Sequence, residues 1–339
     1  MEKILNIKIE KNLYLLSWLI LLILGFVLTY NLENIFSEKY FYDSLRILKM
    51  IKMNNFHIRS GDSYGLAAYI FSFVPLKSLQ SYNICIYLVF IIWFIKIILK
   101  TPRTLGLYIL NFIFIFLSII YLLRPGKEIL QLIILALCYI FRKYTPFFLI
   151  VGGIIFRHYL ILQAGIYIGV WILVNKKNKK KWLVLFLIIF IFLNIIFPKL
   201  MFMIFSVRDF TNKYRIDSLD AKTIILNIFN GNSIIIYYIN YLINFIRILF
   251  PIELFFKGLR YLPYIFFQIW FSIKLWNWRK MLKNEYTILL YSYIFVSVIF
   301  EPDFGSFLRH SVPYLIFIIA LIRKEKKNEK NSFYNSNFR

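Results

Sequence analysis

Cysteine and histidine are both rare in this sequence. Its 339 residues contain two cysteines and three histidines, and none of them belongs to a cluster with the spacing of metal ligands. Cys85 and Cys138 each lie inside an apolar run, where we expect two inert thiols. The phosphate-binding motif G-x-x-x-x-G-K-[ST] and the zinc motif H-E-x-x-H are also absent. Nucleotide hydrolysis and tight metal binding therefore have no support, and we expect neither a cofactor nor a metal ion.

Acidic residues are also few. Sixteen Asp and Glu residues stand against 41 Lys and Arg residues, which gives a net charge of +25 at pH 7. In a soluble protein this excess would suggest nucleic-acid binding. Here the basic residues cluster in short connections between apolar runs, as in the five lysines of 175–181. Because short cationic loops are retained in the cytoplasm, we attribute most of the charge to membrane orientation and expect no nucleic-acid partner.

Long apolar runs dominate what the sequence does contain, since 60% of its residues are hydrophobic. Several runs, such as 182–197, approach the length of about 20 residues that crosses a hydrocarbon core. The run 12–30 is too long for a signal-peptide core and lacks a small-residue cleavage site, so we predict a retained anchor. We predict an all-α, polytopic integral membrane protein with about ten spans, at most about twelve, and both termini in the cytoplasm. The predicted spans are 12–33, 82–99, 105–123, 128–142, 144–156, 159–174, 182–205, 261–276, 286–300 and 311–322.

The predicted organisation is a single polytopic membrane domain over residues 1–324, followed by a polar cytoplasmic tail over 325–339. Two long outer loops, 34–81 and 206–260, interrupt the spans. The second loop contains an apolar run, 233–250, that is long enough to cross and would raise the count to about twelve spans. Because polar residues interrupt this run and a proline follows it, we predict an amphipathic helix on the outer face instead.

This topology places most of the charged residues that do not orient the chain on its outer side. An arginine near the middle of a membrane costs about 2.5 to 3.5 kcal/mol on insertion scales, and ionisable groups kept in such places usually face a cavity or a substrate path. We therefore expect one extracytoplasmic site. Its candidate residues are Arg124, Lys127, Glu128, Arg157, His158, Arg208, Tyr214, Arg215, Arg247, Glu301, Asp303, Arg309 and His310.

The first candidates also have an ordinary structural explanation. In the stretch R-P-G-K-E over 124–128, proline and glycine form a turn, and Glu128 falls in the first turn of the next helix, where its charge suits the helix dipole. The two cations of this stretch can snorkel to the membrane surface, although an external loop is not where orientation alone would place them. Arg157 lies between two predicted spans, and because the first of these spans is short, Arg157 would line a depression in the membrane surface. His158 follows it at the same turn, where a histidine is more often an interfacial residue with satisfied hydrogen bonds than a catalytic base.

The remaining candidates lie in two polar stretches. The loop 208–222 carries four cations and three acids, which suits a solvated loop with local ion pairs. Its arginines and Tyr214 would equally suit a phosphate and a sugar. Glu301 and Asp303 can converge on one pocket, or they can cap the next helix, with Gly305 allowing the turn. The sequence alone leaves both alternatives open.

Three short stretches carry a resemblance to a known family. They are R-P-G-K-E-I-L over 124–130, N-F-I-R-I-L-F-P-I-E-L-F-F-K-G over 244–258 and E-P-D-F-G-S-F-L-R-H-S-V-P over 301–313. These stretches resemble the bacterial oligosaccharide repeat-unit polymerases of the Wzy type, including the EpsG-like set of capsule and exopolysaccharide gene clusters. The family also has outer loops in which a glycine follows an arginine after fifteen or ten intervening residues. Arg215 and Gly231 have the first spacing and Arg247 and Gly258 the second, but both pairs fall in one predicted loop, whereas the family has them in separate loops.

The resemblance implies an enzyme that transfers a growing glycan from undecaprenyl diphosphate to the sugar of the next lipid-linked repeat, at the outer face of the bacterial cytoplasmic membrane. Its implied partners are undecaprenyl-diphosphate-linked oligosaccharides, the lipid bilayer, and a chain-length regulator and a flippase of the same pathway. Because the donor is already activated, no nucleotide sugar is needed. The implied roles are diphosphate contact for Arg157, Arg215 and Arg309, and acceptance of the acceptor's hydroxyl proton for Glu301, Asp303 or His310.

Two other functions stay open. A lipid-phosphate-dependent glycosyltransferase of the GT-C type usually carries acidic residues in its first outer loop, and this chain offers Asp43 and Asp62 there. A lipid-linked oligosaccharide flippase would need cations along a central channel that reaches the cytoplasmic half. In this chain the remaining charges stay mostly outside, and Lys96 and Lys274 lie at inner helix ends, where snorkelling suffices.

Overall fold

The computed structural model describes residues 7–36, 41–54, 61–74, 76–100, 102–213, 223–229, 231 and 233–325. Across these ranges the chain is all-helical and contains no β-strand, which confirms that the protein is all-α. Two isolated bridges join short extended segments, Lys8 with Thr104 and Ile224 with Asp303.

The α-helices are numbered in chain order. The first eight are α1 Lys11–Tyr30, α2 Leu32–Ile35, α3 Tyr42–Lys52, α4 Ser63–Ser72, α5 Leu79–Lys100, α6 Leu105–Tyr121, α7 Lys127–Ile140 and α8 Thr145–Ile155. The others are α9 Tyr159–Asn175, α10 Lys179–Ile196, α11 Pro198–Lys213, α12 Ile234–Leu249, α13 Leu262–Trp278, α14 Glu285–Phe300, α15 Phe304–Ser311 and α16 315–325. Short 3-10 helices lie at Arg142–Tyr144, Ile252–Lys257, Leu259–Tyr261, Arg279–Met281 and Val312–Tyr314.

The chain divides into two compact units. The first comprises Met1–Tyr139, Gly152–Arg157 and Arg309–Arg339, and the second comprises Ile140–Val151 and His158–Leu308. Within the first unit, α1 packs on α5 and α6, and α3 packs on α4. Within the second unit, α14 packs on α9, α11 and α12. The single membrane domain over residues 1–324 stays a prediction.

Among the described residues, three helical stretches are long and apolar enough to cross a membrane: α1, residues Leu79–Lys96 of α5, and Phe304–Glu325, which comprises α15, the 3-10 helix Val312–Tyr314 and α16. A bent pair, formed by α10 and the first turns of α11, adds a fourth if the pair is one span. Each of the ten predicted spans overlaps a helix, but several of these helices are shorter than the roughly 20 residues that a hydrocarbon core requires. The count of about ten spans therefore stays a prediction.

After its three N-terminal lysines, α10 is almost entirely apolar, and most of its residues are exposed. None of its 18 residues is buried, and Leu183, Ile188 and Ile195 are each more than half exposed. In water, full burial of one such side chain is worth about 1.5 to 3 kcal/mol, and no side chain of α10 is fully buried within the protein. A surface of this kind suits lipid rather than water.

The span predicted over 182–205 is not one straight helix. α10 ends at Ile196, α11 begins at Pro198, and the two helices differ in direction by 101°. Proline has no backbone N–H, and its ring disfavours helical backbone at the residue before it. Phe197 accordingly leaves the helical region, with φ −123° and ψ 52°. The structure thus shows a bent helix pair within the predicted span 182–205.

α14 forms the centre of the second unit. Twelve of its sixteen residues are buried. Its two serine hydroxyls are satisfied within the helix, since Ser292 donates to the carbonyl of Leu289 and Ser297 to that of Tyr293, both at 2.8 Å. A helix that is buried on all sides can be apolar on all sides. This explains why the predicted span 286–300 has no polar face.

Candidate functional site

Polar side chains from five parts of the first unit meet in one place. These parts are α3, α4, the start of α7 with the turn that precedes it, the loop between α8 and α9, and the end of α15. We call this group the charged cluster. It consists of Asp43, Tyr64, Arg124, Lys127, Glu128, Gln131, Arg157, Arg309 and His310.

The turn into α7 places two of these side chains on one face. Pro125 and Gly126 are buried and lead directly into the helix. A Cβ at Gly126 would lie 3.2 Å from Oε2 of Glu128, so glycine leaves room for the carboxylate beside the turn. Glu128 and Gln131 are three residues apart in α7 and therefore lie on the same side of the helix.

Glu128 is a buried carboxylate surrounded by basic groups. The residue is 3% exposed. Its Oε1 lies 3.5 Å from Nη2 of Arg157, 3.4 Å from Nε of Arg309 and 3.7 Å from Nε2 of His310. Arg157 also donates from Nη1 to Oε1 of Gln131 at 2.7 Å. Burial of a carboxylate is costly unless it is paired, and these contacts supply the pairing.

Asp43, Tyr64 and Lys127 form a hydrogen-bonded triangle. The Tyr64 hydroxyl donates to Oδ1 of Asp43 at 2.6 Å, and the Lys127 ammonium donates to the Tyr64 oxygen at 2.9 Å. Nζ of Lys127 also lies 3.1 Å from Oδ2 of Asp43. The same Oδ2 is 3.3 Å from Nη1 of Arg309. Arg309 therefore connects the triangle to Glu128.

The ionisation of the triangle follows from burial and from neighbouring charge. Burial opposes the charged form of Asp43, but Lys127, Arg309 and the hydrogen bond from Tyr64 outweigh it and lower the pKa of its carboxyl. Burial, together with the charge of Asp43, raises the pKa of the Tyr64 phenol. Burial lowers the pKa of the Lys127 ammonium, and Glu128 opposes this shift. Near neutral pH the three groups are a carboxylate, a neutral phenol and an ammonium.

Arg124 is buried without full hydrogen bonding. The residue is 5% exposed, and its guanidinium carbon lies 5.3 Å from the ring centre of Phe41. Within the described part of the chain, Nη1 of Arg124 has no hydrogen-bond partner. Burial lowers the pKa of Arg124 to about 10, although Glu128 opposes the shift. The structure thus holds a buried cation with an unused donor beside the rest of the charged cluster.

Similarity to known proteins adds nothing to this geometry. Comparisons with protein-family models, curated proteins and solved structures found no match. The chemistry of the side chains is therefore the guide to what the charged cluster binds.

A second polar group, in the second unit, surrounds Asn227. Its Nδ2 donates to both carboxylate oxygens of Asp209 at 2.7 Å. Its Oδ1 accepts from Nδ2 of Asn244 at 2.9 Å and from Nη2 of Arg208. Arg247 in turn donates from Nη1 to Oδ1 of Asn244 at 2.9 Å. We call these five residues the asparagine cluster.

The two arginines of the asparagine cluster donate mostly to protein groups, although Nε of Arg208 has no hydrogen-bond partner within the described residues. Arg247 donates to the carbonyl of Leu226, and its Nε and Nη2 donate to the two oxygens of Glu253 at 2.7 and 2.8 Å. Arg208 donates from Nη1 to the carbonyl of Val298 at 3.0 Å, and burial lowers the pKa of Arg208 to about 10. These bonds hold the segment 223–229 in place. Substrate binding by Arg208 and Arg247 stays a prediction.

Asp303 occupies a helix-capping position. Its Oδ1 accepts from the backbone N–H of Ser306 at 2.7 Å, and its Oδ2 accepts from the Ser306 hydroxyl at 2.9 Å. The residue before it contacts the segment 223–229, where the N–H of Ile225 donates to the carbonyl of Pro302 at 2.9 Å. Glu301 is buried at the end of α14. The structure thus shows Asp303 as a helix cap, and a catalytic role for either acid stays a prediction.

The structure brings six of the predicted site residues together. His158 is exposed at the start of α9, in the second unit. Tyr214 and Arg215 lie outside the described residues, so the spacing of Arg215 and Gly231 has no structural test. The six that meet in the charged cluster are Arg124, Lys127, Glu128, Arg157, Arg309 and His310.

Three members of the charged cluster are not among the predicted site residues. The sequence points to Asp43 only through the glycosyltransferase alternative, as an acid of the first outer loop. Tyr64 lies 63 residues before Lys127 in the chain, and no local pattern signals their contact. Gln131 is the exception, because its spacing of three residues from Glu128 predicts that both share a helix face.

Proposed function

We propose that this protein is a multi-pass enzyme of the bacterial cytoplasmic membrane that joins lipid-linked oligosaccharide repeats, as the resemblance to Wzy-type polymerases implies. It transfers a growing glycan from undecaprenyl diphosphate to the next lipid-linked repeat on the outer face of the membrane. About ten spans carry the chain, with both termini in the cytoplasm and the charged cluster at the outer side. The observation that carries the proposal is the excess of buried and half-buried positive charge in the charged cluster.

The charge balance of the cluster favours an anionic ligand. The charged cluster contains four basic side chains, those of Arg124, Lys127, Arg157 and Arg309, and two carboxylates, those of Asp43 and Glu128, so two positive charges remain with His310 counted as neutral. A diphosphate group carries negative charge of matching size. Guanidinium groups bind phosphate oxygens through paired hydrogen bonds, which makes arginine the preferred residue for such a ligand.

The unused donor of Arg124 is a second argument for an anionic ligand. A buried donor without a partner costs about 1 to 3 kcal/mol, and more when the group is charged. Nη1 of Arg124 is such a donor among the described residues. A phosphate oxygen would satisfy it and would bring compensating charge. The cost of keeping Arg124 buried in the free protein is thus recovered when an anion binds.

The remaining residues suit the chemistry of glycan transfer. The acceptor hydroxyl oxygen bonds to the anomeric carbon of the donor sugar, while the bond from that carbon to the diphosphate oxygen breaks and the diphosphate leaves with the electron pair. Arg124, Arg157 and Arg309 stabilise the negative charge that builds on the leaving group. The hydroxyl proton passes to His310, and Glu128, 3.7 Å from its Nε2, stabilises the resulting imidazolium.

Deletion of the gene tests the proposal directly. The surface polysaccharide and its lipid-linked precursors would be separated on a gel. We expect the long ladder to disappear while a single complete repeat is still delivered, because assembly and export survive and only joining fails. A complete repeat trapped on the cytoplasmic side would instead indicate a flippase and would reject the proposal.

A matched pair of variants then tests the charged cluster in the deletion strain. Arg124→Gln removes a buried cation, and we expect it to abolish the ladder. Arg260→Gln removes the same charge from an exposed arginine that stacks on Tyr261, and we expect the ladder to return. Equal complementation by both variants at equal protein levels would exclude Arg124 from the site.

One observation favours the glycosyltransferase alternative. Asp43, an acid of the predicted first outer loop, lies inside the charged cluster, where it contacts Lys127 and Arg309. The other acid of that loop, Asp62, has a structural role, since its Oδ1 caps α4 by accepting from the N–H groups of Tyr64 and Gly65 at 3.1 Å. A lipid-phosphate-dependent glycosyltransferase predicts that the deletion strain accumulates an incomplete repeat rather than a complete one.

A further inference from the structure

The hydroxyl of Tyr64 has a single possible hydrogen-bond arrangement. Lysine has donors only, so the Lys127 ammonium, 2.9 Å away, must donate to the phenol oxygen. The one hydroxyl hydrogen must then go to Oδ1 of Asp43, at 2.6 Å. The phenol therefore connects an ammonium to a carboxylate without any freedom to rotate its hydrogen elsewhere.

Two cations and a helix cap also contact or position the ring of Tyr64. Arg46 and Lys127 place cations 4.4 and 4.5 Å from its centre. Its backbone position is set by Asp62, which caps the first turn of α4. Cations near an aromatic face are attracted by its negative charge density. The helix cap at Asp62, the cations beside the ring and the hydrogen bonds of the hydroxyl together determine the position of Tyr64 relative to Lys127.

These contacts determine the direction of the Lys127 ammonium. The ammonium has three N–H bonds. One is directed to Tyr64 and one to Oδ2 of Asp43, at 3.1 Å. Because the group is tetrahedral, fixing two N–H bonds also fixes the third. Within the described residues, no protein group takes this third N–H, and the side chain of Lys127 is 14% exposed.

We propose that Tyr64 is a positioning residue for substrate binding: it orients the Lys127 ammonium so that the third N–H of Lys127 binds a phosphate oxygen. This inference rests on the proposed function and adds a residue to its site. Tyr64 touches no reacting atom and acts through Lys127. Orientation before binding improves affinity, because the ligand does not have to order the ammonium itself.

The test measures binding of inorganic pyrophosphate to the full-length protein in detergent micelles by calorimetry. Tyr64→Phe keeps the ring and both cation contacts and removes only the hydroxyl. We expect pyrophosphate to bind roughly tenfold more weakly, the effect of losing one hydrogen bond to a charged group. Tyr69→Phe, the same change at an exposed tyrosine of α4, serves as the matched control and should leave the affinity unchanged.

A double-variant comparison separates positioning from a general loss of structure. If Tyr64 acts through Lys127, then Tyr64→Phe has no further effect on pyrophosphate affinity in a Lys127→Gln background. An equal loss in both backgrounds would overturn the inference, as would wild-type affinity in Tyr64→Phe. Should Tyr64→Phe fail to fold, Lys127→Gln alone decides, because unchanged binding would show that the ammonium is not used. Failure of the wild-type protein to bind pyrophosphate would reject the proposed anion site itself.

Discussion

Replacement of Glu128 by glutamine removes a buried negative charge and keeps the size of the side chain. Glu128 is 3% exposed, and its Oε1 faces Arg157, Arg309 and His310 at 3.4 to 3.7 Å. Removal of one partner of a buried ion pair costs about 3 to 5 kcal/mol, because the other charge is left uncompensated. Arg309 keeps a second partner in Asp43, at 3.3 Å. We therefore expect Glu128→Gln to lower the free energy of unfolding by about 3 kcal/mol, the lower end of that range.

Glu253→Gln provides the comparison. Glu253 pairs with Arg247 at a shorter distance, 2.7 Å, but its side chain is 30% exposed. Water can solvate the arginine that this substitution leaves behind, so we expect a loss below about 1 kcal/mol. Both variants would be unfolded in detergent micelles under the same conditions. Equal losses, or a larger loss for Glu253→Gln, would refute the conclusion that burial rather than distance determines the strength of these pairs.

Pyrophosphate extends the same experiment to binding. Glu128→Gln leaves Arg157 and Arg309 with less compensating charge, so the variant should bind an anion more tightly than the wild-type protein does. Ligands that bind only the folded state raise its stability in proportion to the logarithm of ligand concentration over Kd. We expect added pyrophosphate to stabilise Glu128→Gln more than wild type. Equal stabilisation would indicate that the ligand does not reach these arginines.

Three further substitutions test other features. Asp303→Asn should leave both stability and the polysaccharide ladder unchanged, because asparagine caps a helix as well as aspartate does; loss of the ladder with the fold intact would instead establish a catalytic carboxylate. Pro198→Ala should straighten the bent pair, which spin labels on α10 and α11 would report as a longer distance. Because the pKa of Asp43 is lowered on folding, its ion pairs stabilise the protein above the ordinary carboxyl pKa of about 3.9 and stop doing so as pH falls through the lower folded value. The stability difference between wild type and Asp43→Asn should therefore stay constant from about pH 7 to about pH 5 and shrink in stronger acid.

The sequence predicts the positions of the helices, because long apolar runs and the polar, proline and glycine residues that end them are local signals. The helix expected over 233–250 is present as α12, and its polar residues mark one face as predicted. What the sequence does not show is where that face points. Asn240 and Asn244 are buried, and they bond to Phe229 and to Asn227, residues of the segment 223–229. Polarity alone predicts exposure, and only tertiary contacts reveal a buried polar face.

In the charged cluster, too, the sequence does not show the contacts between distant parts of the chain. Arg124, Lys127 and Glu128 were predictable as a group because they are adjacent in sequence and follow a turn. Asp43 and Arg309, which pair with this group, are separated by 266 residues, and no local pattern signals that they meet. Charge pairing has no preferred spacing along a chain. The topology argument could therefore place these residues on one side of the membrane, but it could not identify which acid meets which base.

The contrast between α10 and α14 bears on how freely each helix can change during evolution. α10 has no buried side chain, whereas twelve of sixteen residues are buried in α14. In α10, any apolar side chain meets the same requirement, so leucine, isoleucine, valine and phenylalanine should exchange with little effect on the folded protein. In α14, each exchange alters a close-packed neighbourhood and should be selected against. Distant relatives of this chain should thus share the hydropathy of α10 without sharing its residues, whereas the sequence of α14 should remain similar among them.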